Sequence, residues 1–232
     1  MLTAGKTSQA SPFHAEAEGF VLAGGQSSRM GSDKALAVFL GEPMVVHALA
    51  ALRDAGLRAR IAGARSDLSN FAEIVPDGFD SVGPLGGICA ALRASETEWN
   101  LFLPVDMPLM PVSLLDYLVR HAQLTGASVA VTSRNGRVEP FPVVLRRGAD
   151  GLLEDRLRGG ERKCLSAWVA LAGEKPLEPI AVELLVQAGQ CGHPAGIFPV
   201  WWFQGANTPE ELSRVNRLAG GPHPTAAKYR VL

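Results

Sequence analysis

From residue 19 onward the apolar positions change their spacing in a regular alternation, from short continuous runs to helical stripes and back. Residues 19–23, Gly-Phe-Val-Leu-Ala, make a continuous run of the kind that forms a strand buried on both faces. Val45, Ala48, Leu49 and Leu52 then recur at helical spacing, and Gly56 stands where a helix closes. A second strand is expected over 58–62, and a short third one at Ile74 and Val75, running into Pro76-Asp77-Gly78. Gly83-Pro84-Leu85-Gly86-Gly87 opens a helix that carries Ile88, Ala91 and Leu92. The run 99–105 predicts a strong central strand, and Leu114, Leu115, Leu118, Val119 and Ala122, after Pro111, predict another amphipathic helix. Strand and helix in turn, with strands buried on both faces, predict βαβ units and an α/β fold with three α/β/α layers around a mostly parallel sheet.

Beyond residue 126 the pattern loosens. Residues 129–132 and 141–145 read as strands, 152–157 as a short helix, and 164–171 as a helix or a mixed element. The segment 172–197 holds Pro, Gly and one short apolar run, 180–186, which fits either a strand or a helix. Residues 200–204 predict a late strand. Thr208-Pro209-Glu210-Glu211 has the form of a helix start, with Thr208 as cap, Pro209 in the first turn and Glu211 closing a capping box. No internal repeat is present.

The 232 residues suit one α/β domain, expected over 18–218, with a flexible leader over 1–17 and a tail over 219–232. A formal net charge of −1 argues against nucleic-acid binding, which shows as a basic surplus or stripe, so any phosphate chemistry must be local. Cys89, Cys164 and Cys191 are far apart, form no Cys-x-x-Cys pair, and read as reduced thiols of a cytoplasmic protein. No apolar run is long enough to span a bilayer, and residues 1–17 lack the apolar core of a signal peptide.

The most informative stretch is 22–34, Leu-Ala-Gly-Gly-Gln-Ser-Ser-Arg-Met-Gly-Ser-Asp-Lys, directly after the first predicted strand. Two glycines at a strand's carboxyl end let backbone N–H groups approach an anion, and Arg29 and Lys34 set fixed positive charge beside them. The spacing matches neither the Walker loop, which needs Gly-Lys-Ser/Thr, nor the Gly-x-Gly-x-x-Gly dinucleotide fingerprint. A glycine-rich surface turn with two solvated cations has the same composition, and the position after a first strand is what favours phosphate handling.

In this stretch the chain resembles the molybdenum cofactor guanylyltransferases, within the wider group of nucleotidyltransferases that open with Leu-Ala-Gly/Ala-Gly-x-x-x-Arg-Met-Gly-x-x-Lys. The Gly24-Gly25 pair, Arg29-Met30-Gly31, Lys34 and the following Ala35-Leu36 all stand in register. The resemblance runs over about 18–217 and is densest in the first half. It implies a Rossmann-like sheet of the nucleotide-diphospho-sugar transferase type, with a nucleotide-binding half over 18–125 and an acceptor-facing half over 126–218. It also implies Mg²⁺-dependent transfer of GMP from GTP to the terminal phosphate of the molybdopterin cofactor, with release of pyrophosphate, and proteins that deliver or receive that cofactor as partners. Nearby alternatives are a cytidylyltransferase, or an enzyme acting on a sugar or alcohol phosphate. An adaptor that binds nucleotide without catalysis is the alternative of another class.

Candidate site residues follow from position and from the resemblance together. Asp106 ends the strongest apolar run, at the sheet edge where open α/β folds bind ligands, so its carboxylate is placed to hold Mg²⁺ against a triphosphate. Lys34 and Arg29 are the expected catalytic cations, Lys34 against charge on the leaving pyrophosphate and Arg29 as a planar fork for phosphate oxygens. The resemblance adds Leu22, Ala23, Gly24, Gly25 and Asp77 as nucleotide contacts, and Arg162, Lys163 and Asn207 as acceptor contacts. Two departures stand out. Relatives often carry Asn in the turn after the second strand, where this chain has Ala62-Gly63-Ala64-Arg65, and a second Asn where it has Gly205.

Overall fold

The computed structural model describes residues 16–24, 33–76, 83–174 and 176–220. Strand β1 (Ala17–Leu22) is buried along its whole length. A small hairpin, β2 (Val38–Phe39) and β3 (Glu42–Pro43), precedes α1 (Met44–Asp54), β4 (Arg58–Ala62), β5 (Ile74–Val75), α2 (Pro84–Ala94), β6 (Trp99–Pro104) and α3 (Val112–Thr125). The second half adds β7 (Val129–Arg134), β8 (Arg137–Arg146), α4 (Asp150–Arg158), α5 (Cys164–Ala172), β9 (Ile180–Ala181), α6 (Val182–Gln187), α7 (Pro199–Trp202) and α8 (Pro209–Gly220).

The main sheet has the order β5-β4-β1-β6-β8-β7-β9. Every neighbouring pair is parallel except β6 with β8 and β8 with β7, so β8 alone runs against the rest. The chain winds outward from β1 through β4 to β5 and then returns to lay β6 on the other side of β1. That reversal leaves a crevice beyond the carboxyl ends of β1 and β6, the place where open α/β sheets bind ligands.

Alternate residues of each central strand face opposite layers. Phe20, Phe102, Val143 and Leu145 pack with α2, α4 and α5, and Phe20 and Phe102 stack at 5.3 Å. Val21, Leu101, Leu103 and Val144 pack on the other side with Leu49 and Leu52 of α1, Leu115 and Leu118 of α3, and Val215 of α8. This is the expected three-layer arrangement. Cys89, Cys164 and Cys191 form no disulfide, and burial pushes Cys164 up to about 12 and Cys191 to about 11. Among the described residues no helix is long and apolar enough to cross a membrane.

Local differences from the sequence reading lie in the second half. The strand expected over 200–204 is instead helix α7: Pro199 occupies its first turn, and Trp202 donates its indole N–H back to the Ile197 carbonyl at 2.8 Å. A proline pre-set for a helix start, together with burial of one large ring, outweighs the β preference of Val-Trp-Trp-Phe. The run 180–186 divides into the two-residue β9 and α6, and 164–171 is helical as α5. Asn135 and Gly136, both at positive φ, make the tight turn that pairs β7 with β8. The regions expected to form a leader and a tail lie largely outside the described residues, although β1 begins at Ala17 and α8 ends at Gly220.

Phe102 is fully buried at the centre of the sheet. Phe102→Ala is expected to destabilise the protein by about 3–5 kcal/mol. A urea unfolding curve measures this, and a loss under about 1 kcal/mol would contradict the packing described.

Candidate active site

Two chain segments reach the crevice from β1 and β6. Beyond β1, Ala23 stays tied into the sheet by an N–H bond to the Ala62 carbonyl at 3.3 Å, and Val105 beyond β6 donates to the Leu22 carbonyl at 3.1 Å. Asp106 therefore sits two residues past β6, beside the start of the glycine-rich segment. A cavity of about 310 Å³ opens here, lined among others by Gly24, Asp33, Lys34, Arg65, Asp106 and Phe141. Phe141 packs edge-on against Trp168, whose indole N–H donates to the Pro140 carbonyl at 3.0 Å.

The polar contacts of the cavity centre on Lys34. Its ammonium donates to Asp106 Oδ2 at 3.4 Å and to Asn207 Oδ1. Asn207 comes from the far end of the chain, and local backbone chemistry explains its position. Ala206 N–H donates to the Asp106 carbonyl at 2.9 Å, which fixes the two segments to each other. Thr208 Oγ1 caps α8 by accepting the Glu211 N–H at 3.2 Å, while the Glu211 carboxylate accepts the N–H of Asn207 at 2.7 Å. This is a capping box whose return bond lands one residue earlier than the standard form.

Gly205 completes this corner. A Cβ there would stand 2.5 Å from Asn207 Nδ2, so the side-chain amide of Asn207 uses space that only glycine leaves open. The departure at Gly205 is thus coupled to the placement of Asn207. Gly63 acts similarly on the opposite wall. It has φ +140°, and a Cβ would meet the Gly24 backbone nitrogen at 3.2 Å, so the turn after β4 lies directly against the entry to the glycine-rich segment.

Asp33 and Arg65 form the third side. The Arg65 guanidinium meets both oxygens of Asp33 and both of Asp67, and also donates to the Ala23 carbonyl at 3.3 Å. Hydrogen bonding to Asp67, then the charge of Asp33, holds Arg65 above its ordinary value, while the bond from Arg65 holds Asp67 below its own. Both shifts favour the charged forms. The contribution of the Asp67 pairing is therefore complete above the usual aspartate range and is lost as pH falls through the depressed Asp67 value.

Of the residues expected from sequence, Leu22, Ala23, Gly24, Lys34 and Asp106 line one cavity, and Asn207 joins it through Lys34. Gly25, Arg29 and Asp77 lie outside the described residues. Arg162 and Lys163 do not line the cavity: Arg162 donates to the Leu157 carbonyl at 3.0 Å, and the Lys163 N–H donates to Glu161 at 2.8 Å. Asp33 and Arg65 were not singled out from sequence. The signal available was the adjacency of Asp33 to Lys34, together with an arginine in a turn where relatives carry amide side chains.

A family model described as the MobA-like NTP transferase domain matches residues 19–217, the span that holds this cavity and both segments forming it. The chain belongs to the MobA-like NTP transferase family. It is a nucleotidyltransferase. Over 198 residues it is 30% identical to a molybdenum cofactor guanylyltransferase of Photobacterium profundum, covering 84% of this chain and 92% of that one. Over 161 residues it is 34% identical to the enzyme of the same name from Serratia proteamaculans, covering 66% and 79%. The crystal structure of molybdopterin-guanine dinucleotide biosynthesis protein A from Archaeoglobus fulgidus shares the fold, with a TM-score of 0.71 at 23% identity over 88% of this chain and 98% of that one.

The Gly205 corner gives a direct test. Gly205→Ala is expected to displace the flexible Asn207 amide at small cost in stability, while nucleotidyl transfer falls by about tenfold or more through misplacement around Lys34. Steady-state kinetics beside a thermal melt would check it. Unchanged activity in a folded variant would show that Asn207 has no part in this corner's chemistry.

Proposed function

We propose that the enzyme transfers GMP from GTP to the terminal phosphate of the molybdenum-bound molybdopterin cofactor, releasing pyrophosphate, with Mg²⁺ required. The observation that carries this reading is the convergence of the Asp106 carboxylate and the Asn207 amide oxygen on one ammonium, Lys34, at the mouth of the glycine-rich segment. Two hard oxygens gathered on a cation fit Mg²⁺, which takes one or two protein carboxylates and otherwise keeps water and phosphate oxygens. The guanylyl base and the molybdopterin acceptor come from the names of the relatives.

The chain's own residues supply binding, alignment and charge. Gly24 presents backbone without a Cβ at the cavity mouth, where a nucleotide's phosphates can approach closely. Lys34 carries a compact charge on a flexible stem and can turn from Asp106 and Asn207 to the anionic oxygens as a triphosphate enters. There it stabilises charge that builds on the leaving pyrophosphate when acceptor phosphate attacks the α-phosphorus in line. Arg29 and Asp77 keep the roles expected from the sequence, as a phosphate fork and a nucleotide contact. Asp106 and Asn207 would hold Mg²⁺, which would supply charge neutralisation of the phosphate oxygens. Arg162 and Lys163 remain candidates for the acceptor's own phosphate, outside the cavity. Three scattered cysteines with no Cys-x-x-Cys pair suit the reducing cytoplasm, where this reading puts the enzyme.

Thermal-shift titration with GTP, CTP, UTP and ATP in Mg²⁺ should give a selective upward shift with GTP that follows ln(1 + [L]/Kd). Release of pyrophosphate from GTP should depend on both molybdopterin and Mg²⁺, and Asp106→Ala should abolish it in a protein that melts normally. A preference for CTP would reassign the base. Full activity in Asp106→Ala would overturn the metal assignment.

A further inference from the structure

We propose that Arg65 is a positioning residue for nucleotidyl transfer, pinning both ends of the glycine-rich segment with one guanidinium and setting the place of Lys34 through Asp33. The inference rests on the reading of this cavity as a nucleotide site. Arg65 stands in the turn after β4, and all five of its N–H donors can be assigned. Nε donates to Asp67 Oδ1 at 2.9 Å, Nη1 to Asp33 Oδ1 at 3.2 Å and to the Ala23 carbonyl at 3.3 Å, and Nη2 to Asp33 Oδ2 and to Asp67 Oδ2 at 2.7 Å. A planar fork that meets both oxygens of a carboxylate fixes its orientation as well as its position.

Two of these partners flank the glycine-rich stretch. Ala23 is the last residue before Gly24, and Asp33 comes directly before Lys34. One side chain from β4's turn therefore holds the chain where it enters the stretch and where it leaves. Asp33 carries the constraint onward. Its Oδ1 accepts the N–H of Ala35 at 2.8 Å, so the Asp33 carboxylate spans Lys34 and fixes the backbone on both sides of it. With those flanks held, the Lys34 stem starts from a set point and its ammonium reaches Asp106 Oδ2 at 3.4 Å.

The arrangement accounts for an arginine in a cavity whose centre already has its cation. With Asp33 and Asp67 taking its donors, and its side chain only 17% exposed, Arg65 is committed to holding the loop ends. A lysine could replace the charge, but its three donors could not meet both oxygens of Asp33, both of Asp67 and the Ala23 carbonyl, as the five of Arg65 do.

The test is a double-mutant cycle. Wild type is titrated with the four nucleoside triphosphates in Mg²⁺, and whichever binds is carried into kinetics with Arg65→Lys, Asp33→Asn and the double variant. Each single substitution is expected to lower kcat/KM about 10- to 100-fold in a folded enzyme, since small displacements of a catalytic group cost that much. The double variant should lose no more than the worse single one, because both remove the same contact. In nucleotide-free protein, hydrogen exchange at the Ala35 amide should quicken by about tenfold in Arg65→Lys, while exchange in β6 stays unchanged. Losses that multiply in the double variant would mean that the two residues act separately, and would overturn the proposal. Wild-type kcat/KM in Arg65→Lys, or unchanged Ala35 exchange, would overturn it as well. If wild type binds none of the four nucleotides, the nucleotide reading fails, and the exchange result still decides whether Arg65 holds the Asp33 turn.

Discussion

A single ammonium held between oxygens from two distant parts of the chain is the contact on which the site depends. Lys34 lies 72 positions from Asp106 and 173 from Asn207, and no local element could bring the three together. The sheet does so. Parallel pairing of β1 with β6 puts Leu22 opposite Pro104, so that the segments leaving both strands emerge side by side at one edge. The backbone bond from Ala206 to Asp106 then delivers Asn207 to the same edge.

Packing and polar chemistry divide the work. The two hydrophobic layers fix the strands, with aromatic and aliphatic side chains alternating between faces, and this makes the edge rigid. The edge itself is built from small residues and capped turns. Gly63 lets the turn after β4 close on Gly24, Gly205 leaves room for the Asn207 amide, and the Thr208 cap orients the backbone that carries it. Removing a side chain from the layers should cost stability, whereas adding one at the edge should cost function. That separation follows from where each residue sits rather than from its size.

Much of this was legible in the sequence where regular spacing governs structure. The strands over 19–23 and 99–105 and the helices that follow them are visible because buried parallel strands read as largely apolar runs and their covering helices as stripes, while 58–62, with Arg58 and Arg60, is marked more by its place after the first helix. Lys34 and Asp106 were visible for other reasons, Lys34 as a cation of the glycine-rich stretch after the first strand and Asp106 as the carboxylate that closes the strongest apolar run. The second half was harder to read. Val200, Trp201 and Trp202 have strand composition but lie in a helix that Phe203 caps, because Pro199 and the burial of Trp202 decide locally. The two-residue β9 is too short to carry a period. The pairing of Arg65 with Asp33 spans 32 positions and depends on the Gly63 turn, so no spacing rule reveals it. Asn207 was visible as an acceptor contact implied by the resemblance and as the neighbour of a helix cap, but its meeting with Lys34 is a product of the tertiary fold.

On the proposed function, Asp106 and Asn207 would hold a divalent ion through the same oxygens that Lys34 meets, so lysine and metal would compete for them. Mn²⁺ binding to nucleotide-free protein, followed by electron paramagnetic resonance, measures that competition directly. Lys34→Met should bind Mn²⁺ several-fold more tightly than wild type, about what removing one nearby positive charge at partial burial allows, with the gain absent from Lys34→Met combined with Asp106→Ala. Equal Mn²⁺ affinity in wild type and Lys34→Met would contradict the account.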